Sequence, residues 1–532
     1  MDLAQAYELA AMRNQDAMNA VLERFDSPIQ HFYNDATLFV TGCSGFLGKQ
    51  LVEKLLRSCK IKRIYVLLRP KKGKSIQERL ETILEDPVYD GLRQKQPHFN
   101  DKIVPIEGDI KDKLLGMSDK DRRSIIEEVE IIIHMAATIR FNEPIRVAAL
   151  LNVRGTMEVL ALAKECCKLK NLVHVSTAYC QATHCRKNKD VLEQFYPCPM
   201  PPAALVAMAE SMEEERLNSI TPSLINNWPN TYTFTKALAE EALRTMGGNL
   251  PMCIVRPPVV ACSYREPIPG WLDTSTMFGP SGVLLGVALG ALRVIKVDDT
   301  KRLLIVPVDL VNNAIIAAGW DSTQWAKEGG EIPIYTVVNN SCQYQHTPLF
   351  TGFLQDELKR LQYKISSPKA MWYCYLLSTS NFLVYWVLHW FLHMIPAYII
   401  DGVDCVLKMK PKNISSFVSI YDKIQKFTFT FDHFLSNEWH FRDTNTMAMM
   451  SRMTDTDKAI YNCDITSMDL KTMLVLWTVG VRKYLIKDGL KNSLEGSRKQ
   501  KIFKYVNIVV MAVYLLSLTY IAYSFVKLFV SW

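Results

Sequence analysis

No C-x-x-C pair and no regular spacing joins the 13 cysteines of this 532-residue chain, which sets aside zinc knuckles and a disulfide framework and fits a reducing compartment. Charge of one sign is not concentrated either. The net +8 at pH 7 is spread along the chain, with no basic helix or finger pattern, so nucleic acid is not an expected partner, whereas a membrane face or an anionic cofactor is. Internal repeats and low-complexity segments are lacking. Residues 1–30 contain no apolar stretch long enough for a signal-peptide core, because Asp2, Glu8, Arg13, Asp16 and Glu23 interrupt it. They read as an amphipathic leader, with the catalytic part on the cytosolic side. At this length one hydrophobic core does not suffice, and at least two folded units are expected.

Two long uncharged runs stand out. Between Lys504 and Lys527 the 22 residues "YVNIVVMAVYLLSLTYIAYSFV" carry no charge and as a helix would measure about 33 Å, enough to cross a bilayer. Arg498, Lys499, Lys501 and Lys504 cluster before this run, which keeps everything upstream on the cytoplasmic side. The basic flank suits the endoplasmic reticulum membrane first and the peroxisomal membrane as the alternative. The second run, residues 370–400, is broken by Ser378, Thr379, Ser380 and Asn381, then by His389, His393 and Pro396. Crossing here would put Lys408, Lys410 and Lys412 on the far side, against the charge rule, so a helix pair lying in the interface or lining an acyl-sized cavity is expected.

Short β-branched stretches recur with helical patterns between them: "TLFVT" at 37, "IYVLL" at 64, "IVPI" at 103, "VEIII" at 129, "LVHVS" at 172 and "MCIVR" at 252. Their alternation and nearly continuous apolar character predict an α/β fold with a doubly wound, Rossmann-type parallel sheet. We place the sheet domain at 31–343 and a smaller, mainly helical domain at 344–497, with the boundary between Asn340 and Pro348. A transmembrane helix follows at 505–526. The insertion Arg186–Trp228 is expected to pass over the carboxyl edge of the sheet and shape the substrate mouth.

The stretch "TLFVTGCSGFLGKQ" runs from the first strand into Gly42, Gly45 and Gly48 and then into a helix with Leu47, Leu51, Leu55 and Leu56 at helical spacing. Gly42 would allow a tight turn, Gly45 a close approach of backbone to a pyrophosphate, and Gly48 close packing of helix on strand. Arg69 ends the second strand, 21 residues after Gly48, where a reader of NAD carries an acid. A guanidinium there, beside Lys71 and Lys72, pairs with a 2′-phosphate instead and points to NADPH. Further on, "NTYTFTKALAEEAL" puts Tyr232 and Lys236 one helical turn apart, between the strands at 172 and 252. An ammonium and the positive ring of an oxidised cofactor would lower the phenol's pKa and make Tyr232 a proton donor. Ser176 and Thr177 end the preceding strand, where a hydroxyl can hold a substrate oxygen beside Tyr232.

In order, "TGCSGFLGK", "VLLRP", "HMAATIRFNEPI", "NVRGT", "VHVSTAY", "YTFTK", "IVRPPVV", "GPSGVLLG" and "TVGVRKYLIKDG" resemble the motifs of the alcohol-forming fatty acyl-CoA reductases, a branch of the extended short-chain dehydrogenases/reductases. The resemblance implies reduction of a long-chain acyl-CoA to a primary alcohol in two NADPH-dependent hydride transfers, with release of coenzyme A. It implies that Tyr232 and Lys236 are the catalytic pair, that Thr177, with Ser176, binds the carbonyl oxygen, and that Asn152 supports Lys236 through water. The cofactor would be held by Thr41, Gly42, Gly45, Phe46, Leu47, Gly48, Arg69, Asp109, Ile110, Ala136, Ala137, Asn152, Tyr232, Lys236 and Pro257. Acyl-CoA and the bilayer are the implied partners, a homo-oligomer stays open, and no metal is expected. His134 reads as structural. Two rival readings are a membrane-bound reductase of the same superfamily acting on a sterol or other lipid alcohol, disfavoured by Arg69, and a tail-anchored scaffold that binds nucleotide without turnover.

Overall fold

A computed structural model describes the chain except for residues 14, 71–72, 303, 328–330, 339–355, 358, 408–415 and 531–532. The expected boundary at 340–348, Lys71 and Lys72 beside Arg69, and Lys408, Lys410 and Lys412 lie outside the described residues.

Seven parallel strands form one sheet: β1 (Thr37–Thr41), β2 (Arg63–Leu68), β3 (Ile103–Glu107), β4 (Ile131–His134), β5 (Asn171–Val175), β6 (Met252–Arg256) and β7 (Ile334–Thr336), in the order β7-β6-β5-β4-β1-β2-β3. All six expected strands are present. The seventh, three residues long, carries too short a pattern to read. Side chains alternate between two cores, as the two-residue period of a strand requires: Leu38 and Val40 face one, and Phe39 faces the other. Helices α1 (Phe46–Ser58) and α4 (Val308–Lys327) cover the first face, whereas α2 (Gly155–Glu165) and α3 (Thr231–Met246) cover the second. With both faces covered, β1 is buried at every position. The winding reverses between β1 and β4, whose ends meet where Thr41 pairs with His134, and a doubly wound sheet opens its ligand crevice there.

The segment read as a leader is docked, not detached. Asp2 caps its first helix (Leu3–Met12) and also accepts from the amide of Ser493 at 2.7 Å, while Glu8 pairs with Lys483 at 2.5 Å. Ser27 donates to the buried carboxylate of Asp457. The insertion forms two helices, Pro202–Ser211 and Glu214–Ile225, whose Leu205, Val206 and Leu217 pack with Phe234, Ala237 and Leu238 of α3.

The uncharged run at 370–400 departs from the expected helix pair. Its polar residues end one element and start another: Leu377–Thr379 pairs with Val294–Lys296, and the Asn381 carboxamide accepts from the Val384 amide at 3.1 Å, capping a helix. That helix, α5 (Phe382–Leu407), is a single 26-residue element with a π turn at Trp390–Met394. Its partner lies beyond the run, in α6 (Phe417–Leu435). The Asp401 carboxylate accepts from the first amides of α6, Phe417 at 3.0 Å and Val418 at 2.9 Å. The last helix, α7 (Ser493–Val530), is long and apolar enough to cross a membrane, and none of its most apolar window is buried.

Candidate active site

The glycine turn is built as its spacing requires. Gly42 has φ +82°, and a Cβ there would stand 2.8 Å from the amide nitrogen of Ala136; a Cβ on Gly48 would stand 2.2 Å from the Gly42 carbonyl oxygen. Gly45 caps α1 and is exposed, so the backbone is open toward the crevice, and the amides of Phe46 and Leu47 begin the helix at its positive end. The Phe46 ring stacks on Trp271 at 5.1 Å, while the Leu47 carbonyl accepts from Asn312 at 2.9 Å.

Several residues expected on the cofactor also fasten the walls of the crevice to one another. The Thr41 hydroxyl lies 2.7 Å from His134 Nδ1 and accepts from the amides of Met135 and Ala136, both at 3.2 Å, fastening the β1 end to the turn after β4. His134 also meets the Thr156 hydroxyl at 3.1 Å. Burial and the nearby Lys236 charge push its pKa down to about 3, so it is a neutral structural residue, as expected. The Asp109 amide donates to the Leu115 carbonyl at 2.9 Å, closing the turn after β3, and Ile110 is buried under Gly155, where a Cβ would come within 2.6 Å of it. Ala136 and Ala137 are half-buried in the turn after β4.

Arg69 is exposed at the end of β2, and its carbonyl accepts from the guanidinium of Arg79. Burial and the Arg69 charge lower the pKa of Arg79, while Cys43 in the glycine turn opposes this. Arg79 therefore stands near both Cys43 of the glycine turn and the Arg69 guanidinium. Arg79 was not legible, because "IQERLETIL" reads only as an amphipathic helix with a capping box at Ser75.

The Asn230 carboxamide accepts from the Thr233 amide at 2.9 Å and so starts α3. This places Tyr232 and Lys236 one turn apart beside the end of β5. The Tyr232 phenol lies near the Thr177 hydroxyl. Thr177 is itself fixed: it accepts from the Tyr179 amide at 3.3 Å and donates to the Pro257 carbonyl at 3.4 Å. In the protein alone burial raises the Tyr232 pKa above its ordinary value, the neighbouring Thr177 hydroxyl opposes this, and the Lys236 ammonium points to the Val175 carbonyl at 2.7 Å. The phenol is therefore a firmly protonated donor. Lys236 is pushed down by burial to about 8, held against a further fall by Glu240.

Glu240 lies one turn past Lys236 and forms a buried, two-pronged pair with Arg256, at 2.6 and 3.0 Å. Ser176 lies beside Glu240 and Cys180, so of the two hydroxyls Thr177 is the one that meets Tyr232. Asn152 sits in a π turn, Ala149–Arg154, where its side chain accepts from the Thr138 amide and donates to the Thr235 hydroxyl, each at 2.9 Å. Through Thr235 it braces α3 beside Lys236.

Sequence reasoning also missed an aromatic wall. Phe141 stacks on Tyr232 at 5.5 Å, and Phe431 and Phe434 of α6 meet Phe141 at 4.7 and 5.2 Å. The "KFTFTFDHFL" stretch carries a signal for it, aromatics at helical spacing, but nothing local says which site they face. Among the described residues no group of His, Cys, Asp and Glu can hold a metal ion.

A family model described as "Male sterility protein", of the NAD-binding kind, matches residues 40–315, and a second of the same description matches residues 392–488. The chain is 35% identical over 506 residues to "Fatty acyl-CoA reductase wat" of Drosophila melanogaster, covering 95% of this chain and 94% of that one. It is 34% identical over 477 residues to "Fatty acyl-CoA reductase 1" of Homo sapiens, covering 88% of each. Among solved structures, the reductase (R) domain of a nonribosomal peptide synthetase from Mycobacterium tuberculosis superposes with a TM-score of 0.54 at 20% identity, covering 90% of this chain and 98% of that one. The terminal R domain of the myxalamid pathway gives 0.53 at 21%, covering 81% and 90%. These two show the fold.

Proposed function

The chain belongs to the fatty acyl-CoA reductase family and makes fatty alcohol from fatty acyl-CoA, and on that premise we propose that Tyr232, Thr177 and Lys236 do so with NADPH. The observation that carries this reading is the juxtaposition of Tyr232 with the Thr177 hydroxyl, one helical turn from a buried Lys236 whose ammonium meets the end of β5.

The domain is an NAD(P)-binding one, and its residues fit the phosphorylated nucleotide. The cradle a Cβ would fill at Gly42 and Gly48, the opening amides of α1 and the Arg69–Arg79 pair would hold the pyrophosphate and the 2′-phosphate. Two NADPH molecules, bound there one after the other, would each supply one hydride, the first for the thioester carbonyl carbon and the second for the aldehyde carbon. Tyr232 and Thr177 hold the oxygen of the tetrahedral hemithioacetal as its charge develops. Collapse of that species breaks the C–S bond and expels the coenzyme A thiolate, leaving the aldehyde. Tyr232 then gives its proton to the alkoxide left by the second addition, which yields the primary alcohol. Lys236, charged below about pH 8, is placed to hold the ribose hydroxyls and assist the phenol. The Phe141–Phe431 wall excludes water beside the reacting oxygen.

The sheet domain at 31–343, the helical domain at 344–497 and a span at 505–526 remain our division of the chain. With α7 as the membrane span, the catalytic domain lies on the cytosolic side of the endoplasmic reticulum membrane. Membranes given acyl-CoA and NADPH test the whole reading: two equivalents of NADPH per coenzyme A released support it, and one equivalent, with aldehyde accumulating, contradicts it.

A further inference from the structure

Helix α5 hides one face and bares the other. Its inner face packs into the body, with Tyr385, Leu392, Met394 and Ala397 buried in apolar clusters and His393 accepting from the Arg293 amide at 2.9 Å. Its outer side exposes Leu383, Trp386, Ile399, Val403, Val406 and Leu407, with Leu383 at 70% and Val406 at 78%. Exposed apolar surface of this extent is uncommon on a face turned to water.

What covers this surface follows from α7. Phe391 of α5 meets Tyr514 at 6.1 Å, and Met511 packs with Leu388 and Leu392. Met511 and Tyr514 lie seven and ten residues past Lys504, or about 10 and 15 Å further along the helix. One leaflet's hydrocarbon is about 15 Å deep. The bared face of α5 therefore opens at a depth where α7 is already among acyl chains. Crossing by α5 is opposed by its tie to the body, the Leu377–Thr379 strand just before it, which pairs with Val294–Lys296.

We propose that α5 is a second membrane-seated element, lying along the cytosol-facing leaflet beside α7 with its outer face in the lipid. This rests on reading α7 as the span. At the reaction end α6 supplies rings of its own, Phe427 on Phe431 at 4.3 Å, Phe431 on Phe141 at 4.7 Å and Phe141 on Tyr232, an apolar track along α6 for the acyl chain of a bound substrate.

The test uses the full chain in phosphatidylcholine vesicles doped with nitroxide-bearing lipid. An environment-sensitive fluorophore is placed at Leu383→Cys or Ile399→Cys, with Val510→Cys on α7 and Ser118→Cys on the far loop as references and the exposed native cysteines replaced by serine. Quenching at 383, 399 and 510 but not at 118 is expected. Quenching at 510 alone overturns the seat while leaving the span intact, and quenching at none of the first three overturns both. A blue-shifted probe without quenching means a protein partner covers the face, which also overturns the proposal. The unsubstituted chain gives an independent readout, because Cys405 is exposed on α5. In vesicles a water-soluble thiol reagent should modify Cys167 and Cys185 and spare Cys405, and equal modification of all three contradicts the seat. A photoreactive group at the acyl terminus of the substrate should crosslink to α6; crosslinks confined to the 202–225 helices would contradict the track.

Discussion

Lys236 is charged or neutral depending on a balance between burial, which lowers its pKa, and Glu240, which holds it up to about 8. Because its ordinary value is 10.5, the unfolded chain binds more protons than the folded one between about pH 8 and 10.5, so this site adds stability as pH rises through that window. Catalysis moves the other way. The ammonium is present below about 8 and lost above it, so kcat/KM should fall as pH rises through about 8, while Tyr232, raised by burial, stays protonated and contributes no limb there. A pH profile with its basic limb near 10.5 would contradict this. The arginines near β2 make a separate prediction. Arg69→Ala or Arg79→Ala should raise the KM for NADPH by about 10- to 100-fold, the worth of a charge-assisted bond of about 1.5–3 kcal/mol, and leave that for NADH nearly unchanged. Steady-state kinetics with both nucleotides check it.

At the scale of elements, what was legible was what is local. Strand, glycine turn and helix follow one another within "TLFVTGCSGFLGKQ", and the structure places Gly42 and Gly48 against backbone that leaves no room for a methyl group. Gly48→Ala should therefore lower stability by at least about 2 kcal/mol and weaken nucleotide binding, measured by thermal melting with and without NADPH. Loss of neither would mean that the helix can shift away. The Tyr232–Lys236 spacing was equally legible, since one turn of helix sets it. Contacts across long separations were not. Phe431 reaches Phe141, and Arg79 reaches the Arg69 carbonyl, through tertiary packing that no periodicity encodes. Nor does the sequence, which places an ammonium near the phenol, reveal that burial raises the phenol's pKa and that the ammonium turns to Val175.

The whole molecule joins a reaction site at the carboxyl edge of the sheet to an apolar end that offers α7 to a bilayer. Washing membranes with alkaline carbonate should leave the protein in the pellet, and release into the wash would contradict a spanning α7. The account turns, however, on Tyr232 serving both reductions of one acyl group. The direct measurement supplies palmitoyl-CoA and NADPH deuterated at the transferring C4 position, then follows the product by mass spectrometry in the native enzyme and in Tyr232→Phe. The native enzyme should give alcohol with two deuterons on C1 and one free coenzyme A thiol per alcohol, and the variant should lose about 100-fold or more of that output. Alcohol with a single deuteron, or undiminished output from Tyr232→Phe, would contradict the account.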